Sequence, residues 1–112
     1  MDTNNILALL EQYTIDNPDD VAMEIANDFR RRRIEKNLTR EQVAEMSQVP
    51  LSNIARFEQK GLVSLQNLIK IAMAVGYTSD IKNIFKTQKY QTMDEMLQIK
   101  RNLNKKRATK KK

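Results

Sequence analysis

Residues 51–56 read Leu-Ser-Asn-Ile-Ala-Arg, and several of their side chains are suited to contact with the edges of DNA bases. Arg56 can donate two hydrogen bonds to guanine, Asn53 can pair with adenine, and Leu51 can contact the methyl group of thymine. Ser52 lies between them in the sequence. Each good two-bond contact provides about 1–3 kcal/mol of discrimination between bases. On the exposed N-terminal part of a helix, these four side chains would face base edges in the major groove.

The same side chains also have simpler interpretations. Ser52 and Asn53 are typical of a solvated helix start, and Arg56 is equally suited to a phosphate contact or an ion pair within the protein, because phosphate contacts outnumber base contacts generally. Four polar residues flank the segment and are candidates to hold the phosphate backbone: Arg40, Gln42, Gln59 and Lys60. The alternative for this second group is ordinary surface charge.

The composition predicts an all-α domain to position these residues. The chain of 112 residues has 40% hydrophobic and 5% aromatic residues, with two Gly and two Pro. So few Gly and Pro are too few for the many tight turns of an all-β fold, while the abundant Leu, Ile, Ala, Glu, Lys and Gln favour helices. We expect an N-terminal helical extension over residues 1–17, the main domain over 18–86, and a short helix with a basic flexible tail over 87–112.

Apolar spacing and capping residues predict where the helices lie. Asn17 and Ser64 are typical N-caps, Thr39–Gln42 and Thr92–Glu95 form capping boxes, and Asn37 can take the left-handed conformation that ends a helix. The predicted helices are Asn5–Tyr13, Pro18–Lys36, Thr39–Ser47, Pro50–Gln59, Ser64–Gly76, Ser79–Phe85 and Met93–Ile99. The inward side chains expected on the second, third and fourth of these are Val21, Ile25 and Phe29, then Val43, Ala44 and Met46, then Ile54 and Phe57.

Two of these helices have the spacing of a helix-turn-helix. Thr39–Ser47 and Pro50–Gln59 are separated by a turn of two residues. The small side chain of Ala44 lets the second helix approach the first, and a buried Val49 in the turn would fix the angle between them. In such a pair the second helix enters the major groove of DNA.

A series of short motifs extends this pattern through Arg30–Gly76. The motifs are Leu38-Thr39, Val43-Ala44, Ser52, Ile54, Arg56-Phe57-Glu58, Leu65, Leu68, Ile71-Ala72, Ala74 and Val75-Gly76. The series resembles the lambda-repressor/Cro-type (XRE) helix-turn-helix family, and the resemblance implies a compact five-helix DNA-binding domain. The chain departs from the family at Asn37, where Gly is usual, at Pro50, where a capping Ser is usual, and at Arg40, where Gln is frequent.

The resemblance also implies a structural ion pair. In the family an Arg late in the first helix pairs with the Glu near the end of the reading helix, and here those positions are Arg33 and Glu58. The other arginines of the run, Arg30–Arg32, are expected to form a solvated or phosphate-facing rim. Domains of this class usually bind DNA as dimers on half-sites about one helical turn apart.

Two surfaces are candidates for dimer formation. One is the fifth helix of the domain with Tyr77, Ile81, Ile84 and Phe85, and the other is the apolar stripe Ile6–Tyr13, whose alternative role is to complete the core of its own subunit. The resemblance favours a transcriptional repressor. A looser likeness of Arg56–Leu65 and Tyr90–Glu95 to proteins encoded beside HipA-type kinases suggests an alternative, an antitoxin that binds a toxin kinase and represses its own operon.

The net charge of +6 comes from the C-terminal tail. Residues 100–112 carry eight Lys or Arg and no acid, so the rest of the chain has 12 basic and 14 acidic residues. A tail of this kind is expected to be disordered from Arg101 onward. It either serves only as a solubilising end or binds nucleic acid without sequence preference. The latter would make the protein a general RNA or nucleoid binder.

The absence of Cys and His from the sequence argues against several function classes. The commonest general base, the thiolate nucleophile and the usual transition-metal ligands are missing, so we expect neither an enzyme nor a metal or other cofactor. No apolar run approaches the roughly 20 residues of a membrane span. The polar, acidic N-terminus does not resemble a secretory signal. These features predict a cytoplasmic, nucleoid-associated protein.

Overall fold

The computed structural model describes residues 16–105, which form six α-helices and no β-strand. The helices are α1 (Pro18–Glu35), α2 (Arg40–Ser47), α3 (Leu51–Lys60), α4 (Leu65–Ala74), α5 (Thr78–Lys82) and α6 (Met93–Leu103). The all-α prediction is confirmed for this part of the chain. The helix predicted over Asn5–Tyr13 and the end of the basic tail lie outside the described residues.

Side-chain caps fix the starts of the helices where the sequence predicts them. The Asn17 side chain accepts a hydrogen bond from the backbone N–H of Asp20 at 2.9 Å, and Pro18 occupies the first helical position. Thr39 and Gln42 exchange both bonds of a capping box, at 3.0 and 2.8 Å. Because each cap satisfies N–H groups that have no partner within the helix, the local sequence determines where α1 and α2 begin.

The core lies where α1, α2, α3 and α4 meet. α1 packs against α3, and α2 packs against both α3 and α4. Phe57 of α3 is 2% exposed, and its ring centroid lies 5.6 Å from that of Phe29 of α1. The buried apolar side chains are Ala26, Phe29, Val43, Val49, Ile54, Phe57, Ile71, Ala72 and Val75. Val49 in the turn is 2% exposed and belongs to this core.

Three side chains predicted to face inward are exposed instead. Val21 and Ile25 are 39% and 45% exposed, because the inner face of α1 follows Ala26, Phe29 and Arg33. Met46 is 55% exposed. Ser47 is the more covered of the two residues at this end of α2, and its hydroxyl donates to the carbonyl oxygen of Val43 at 2.6 Å. The polar side chain of Ser47, which bonds to the backbone of its own helix, therefore takes the inward position that the pattern assigns to Met46.

Residues 82–105 form a second compact unit, separate from the unit that ends at Ile81. The helix predicted over Ser79–Phe85 is shorter than expected, since α5 ends at Lys82 and Phe85 is 94% exposed. The helix predicted over Met93–Ile99 is longer, since α6 continues to Leu103 and includes residues predicted to be disordered. Lys100 and Arg101 in its last turn complement the helix dipole, and Leu103 continues the apolar spacing.

Gly61 joins α3 to the following loop at a point where a larger residue does not fit. Its φ is +71°, and an added Cβ would lie 3.1 Å from the backbone carbonyl carbon of Ala22.

Gly61→Ala should lower the free energy of unfolding, measured by urea denaturation, by about 2–3 kcal/mol, since it combines left-handed strain with a clash against backbone. Gly76 is the control, because its φ is +88° but an added Cβ would meet only the flexible end of Lys36, at 3.6 Å. Gly76→Ala should cost about 1 kcal/mol, and equal losses for the two variants would contradict the close approach of α1 and α3.

Candidate nucleic-acid interface

α3 has two chemically different faces. Ile54, Phe57 and Glu58 are buried against the rest of the domain. The four residues predicted to contact bases are all exposed: Leu51, Ser52, Asn53 and Arg56. Ser52 and Arg56 lie opposite the buried residues, whereas Leu51 lies two turns from Glu58 at the edge of the buried side. The structure therefore brings the four together on the N-terminal part of one helix. Pro50, at the N-cap, provides no side-chain hydrogen bond, and its φ of −56° leads directly into the first turn.

A shallow concave surface begins beside this exposed face. Asn53 and Arg56 line it together with residues that follow α3 and start α4, namely Leu62, Val63, Ser64 and Asn67. Ser64 was expected only to cap a helix, and it does so by accepting a bond from the N–H of Asn67 at 3.1 Å. Asn67 was not identified from the sequence. The sequence could have indicated Asn67 in one way. Only a few residues separate the end of α3 from the start of α4, so the first turn of α4 lies near the C-terminal half of α3.

The four residues predicted to contact phosphates lie at two ends of the motif. Arg40 and Gln42 are in the first turn of α2, whereas Gln59 and Lys60 are exposed in the last turn of α3. The side-chain oxygen of Gln42 already accepts a bond from the N–H of Thr39. Arg40 is partly buried, and its Nε donates to Glu58 at 3.1 Å. The phosphate role of all four residues remains a prediction.

Glu58 is the centre of a buried ion cluster. Arg33 donates to it twice, from Nε to Oε2 at 2.8 Å and from Nη2 to Oε1 at 2.9 Å. The Glu58 side chain is fully buried, and that of Arg33 is 10% exposed. The third donor group of Arg33, Nη1, bonds to the carbonyl oxygen of Leu38 at 2.8 Å. The pair therefore connects the end of α1, the turn before α2 and the last turn of α3.

Two further arginines surround the same carboxylate, and neither was predicted from the sequence to do so. Arg40 bonds to Glu58 Oε1, and Arg30 Nε lies 4.0 Å from that atom. Arg30 is 55% exposed at its side chain and Arg40 is 32% exposed, so both guanidinium groups also reach solvent. Glu41 lines the same surface at the junction of α1 and α2, beside Arg30, Arg33 and Arg40. The three arginines outnumber Glu41 and Glu58 by one, so the local charge is positive, and a positive surface attracts a polyanion.

The protonation state of Glu58 follows from two opposing effects. Burial disfavours the charged form and raises the pKa of Glu58, but the hydrogen bonds and charges of Arg33 and Arg40 outweigh burial, so that the pKa is lowered. The hydrogen bond to Glu58 likewise raises the pKa of Arg33, against the effect of its own burial. Both partners are therefore charged at neutral pH.

One comparison with known proteins matches part of the chain. Residues 29–82, just under half of the chain, match the family model described as helix-turn-helix. The matched segment begins within α1 and ends with α5. The comparisons with curated proteins and with solved structures gave no match. Between residues 16 and 105, none of the helices has the length and apolar character that crossing a membrane requires.

Proposed function

Starting from residues 29–82 as a DNA-binding helix-turn-helix domain of the kind found in transcription regulators, we propose that the protein is a repressor. In this proposal it binds a specific operator as a homodimer in the cytoplasm and performs no catalysis. α3 lies in the major groove, with Arg56 and Asn53 bonded to bases. Arg40, Gln42, Gln59 and Lys60 contact the phosphates on either side.

The observation that carries the proposal is the division of α3 into two faces. Arg56 is exposed, while its neighbours Phe57 and Glu58 are held in the core and in the ion cluster. A helix anchored in this way presents its outer side chains in a fixed orientation, which base recognition requires because hydrogen bonds to base edges depend strongly on geometry.

The repressor proposal is tested by selecting bound duplexes from a random pool. The full chain should enrich a palindromic motif, because a twofold dimer reads two equivalent half-sites. A chain that ends at Lys105 should enrich the same motif with weaker overall binding, since the basic tail contributes only salt-dependent contacts. Absence of any motif, with binding abolished by removal of the tail, would reject the proposal in favour of a general nucleic-acid binder.

Arg56→Ala should weaken binding of the dimer to the selected duplex by about 25-fold or more, because one two-bond base contact, worth about 5- to 150-fold, is lost in each of the two half-sites. Binding to an unrelated duplex should change much less. Arg56→Lys is the matched variant, because lysine keeps the charge but not the paired geometry of the guanidinium. If Arg56 reads a base, both variants lose sequence preference in a titration by fluorescence anisotropy. If Arg56→Lys binds like the original protein, Arg56 contacts a phosphate.

The second candidate is an antitoxin that binds a HipA-like kinase and represses its own operon. The sequence likeness of Arg56–Leu65 and Tyr90–Glu95 to proteins encoded beside such kinases favours it. This candidate shares the DNA contacts of the first and adds a protein partner. A kinase-like reading frame beside the gene, and a stoichiometric complex between the two purified proteins, would support it. A neighbouring kinase that forms no complex with the protein would rule out the antitoxin candidate and leave the repressor as the remaining one.

A further inference from the structure

Residues 82–105 expose most of their apolar side chains. None of them is buried, and only Met96 and Ile99 are partly covered. The exposed large hydrophobic residues are Ile84, Phe85, Tyr90, Met93, Leu97 and Leu103. α6 has 11 residues, and an isolated helix of that length is marginal in water. Packing of its apolar side against a partner would therefore add to the local stabilisation by its cap and its end charges.

The apolar side chains of α6 lie on one side of the helix, with Lys100 among them. Successive residues of an α-helix are rotated by about 100°, so Met93, Met96, Leu97, Ile99 and Leu103 fall within an arc of roughly 160°. Lys100 falls inside this arc, between Met93 and Met96, where its aliphatic stem can lie along an apolar contact while its amine reaches solvent. Gln98 lies near the centre of the opposite side. This width is typical of a helix that packs against another apolar surface.

The charges beside this face indicate which surface covers it. Asp94 and Arg101 are seven residues apart, two turns along the helix, and both lie next to Leu97 at one edge of the apolar face. Neither forms an ion pair among the described residues. In an antiparallel pair of identical helices, each edge of one helix faces the same edge of the other helix, and the two edges run in opposite directions. Asp94 of each copy would then lie opposite Arg101 of the other, and the contact would occur twice.

A parallel pair would place unlike edges together. The edge with Asp94 would then face the opposite edge of the second helix, which carries Glu95. Two acids side by side repel each other. The charge pattern therefore favours the antiparallel arrangement, which is also the one with a twofold axis perpendicular to the helices.

We propose that α6 is a self-association surface, which pairs antiparallel with α6 of a second copy of this chain. The apolar face forms the centre of the contact, and the two Asp94–Arg101 contacts fix its direction. The inference rests on the homodimer of the proposed function and assigns it a surface that was not among those expected from the sequence. The expected surfaces were the Ile6–Tyr13 stripe and the group of Tyr77, Ile81, Ile84 and Phe85. Within that group Tyr77 packs against the core of its own subunit, whereas Ile84 and Phe85 are exposed.

A charge-exchange experiment on the full chain tests this pairing. Asp94→Lys places two positive charges opposite each other at both contacts, and Arg101→Glu places two negative charges there. Sedimentation equilibrium should show self-association about tenfold weaker for each variant alone. An equimolar mixture should recover the original affinity. In the mixed dimer the lysine introduced in one variant faces the glutamate introduced in the other, while the unchanged Arg101 and Asp94 meet at the second contact.

The mixture controls for effects on the helix itself, because each chain keeps its substitution whether it is mixed or alone. Gln98→Glu and Gln98→Lys change the charge on the far side of α6 and should leave self-association unchanged. Self-association that is equally strong in all variants would overturn the inference while leaving the homodimer in place. Weaker association of both variants without recovery on mixing would overturn the antiparallel pairing. A full chain that remains monomeric at all concentrations would overturn the homodimer itself, and binding of the selected duplex would still be measured separately.

Discussion

Glu58→Ala is expected to lower the free energy of unfolding by about 3–5 kcal/mol, because it leaves buried positive charge without a partner. Arg33 loses two hydrogen bonds, and its side chain is only 10% exposed, so water cannot replace them fully. Arg40 loses its bond as well. The substitution weakens the connection between α1 and α3. Urea denaturation of the variant and of the original protein measures the loss of unfolding free energy.

The control for this variant is Glu35→Ala. Glu35 also pairs with an arginine, Arg32, at 2.8 Å, but its side chain is 59% exposed. Removal of a solvated pair should cost at most about 1 kcal/mol. The two substitutions remove the same chemical group, so their difference isolates the effect of burial. Similar small losses for both would show that water reaches Arg33 readily and that the cluster does not hold α3 in place.

The same cluster predicts how stability depends on pH. In the folded protein the pKa of Glu58 is lowered, because the arginine bonds and charges outweigh the effect of burial. In the unfolded chain the pKa of Glu58 has its ordinary, higher value, so the unfolded state binds more protons in the acid range. The stability contributed by Glu58 is therefore fully present above that ordinary pKa and is lost as the pH falls through the folded value. The difference between the original protein and Glu58→Ala should shrink correspondingly in acid.

Local features were predictable from the sequence, and features that depend on how helices cross were not. The caps at Asn17 and Thr39 involve residues three apart, so they could be identified without knowledge of the fold. Arg33 and Glu58 are 25 residues apart, and only the family resemblance suggested their pairing. The participation of Arg40 depends on the angle between α2 and α3, which the spacing of apolar residues does not determine.

The same distinction explains the errors in the C-terminal part of the described residues. Ile84 and Phe85 have the spacing of an inward helical face, but the turn of helix formed there is short and neither side chain is buried. α6 extends to Leu103 because its capping box and the basic residues of its last turn stabilise it locally. The charge of Arg101 suggested a disordered tail, although in a helix the same charge is favourable near the C-terminus.

Phe57→Ala is expected to cost about 3–5 kcal/mol, as is usual when a fully buried aromatic ring is removed. Phe57 is among the largest fully buried side chains of the described residues, and it packs at a tilt of 54° against Phe29. The variant leaves a cavity between α1 and α3 that the neighbouring side chains fill only partly. Phe85→Ala is the matched control, because Phe85 is 94% exposed and its removal should change stability by no more than about 0.5 kcal/mol.

The comparison with Arg56→Ala separates the two faces of α3. Arg56 and Phe57 are adjacent in the sequence, yet Arg56 is exposed and Phe57 is in the core. Arg56→Ala should therefore keep its unfolding free energy within about 0.5 kcal/mol of the original while losing affinity for the selected duplex. Phe57→Ala should show the reverse at temperatures where enough of it remains folded: lower stability, with sequence preference retained by the folded fraction. If Arg56→Ala were instead the less stable of the two, Arg56 would be part of the scaffold and base recognition would have to come from elsewhere on the domain.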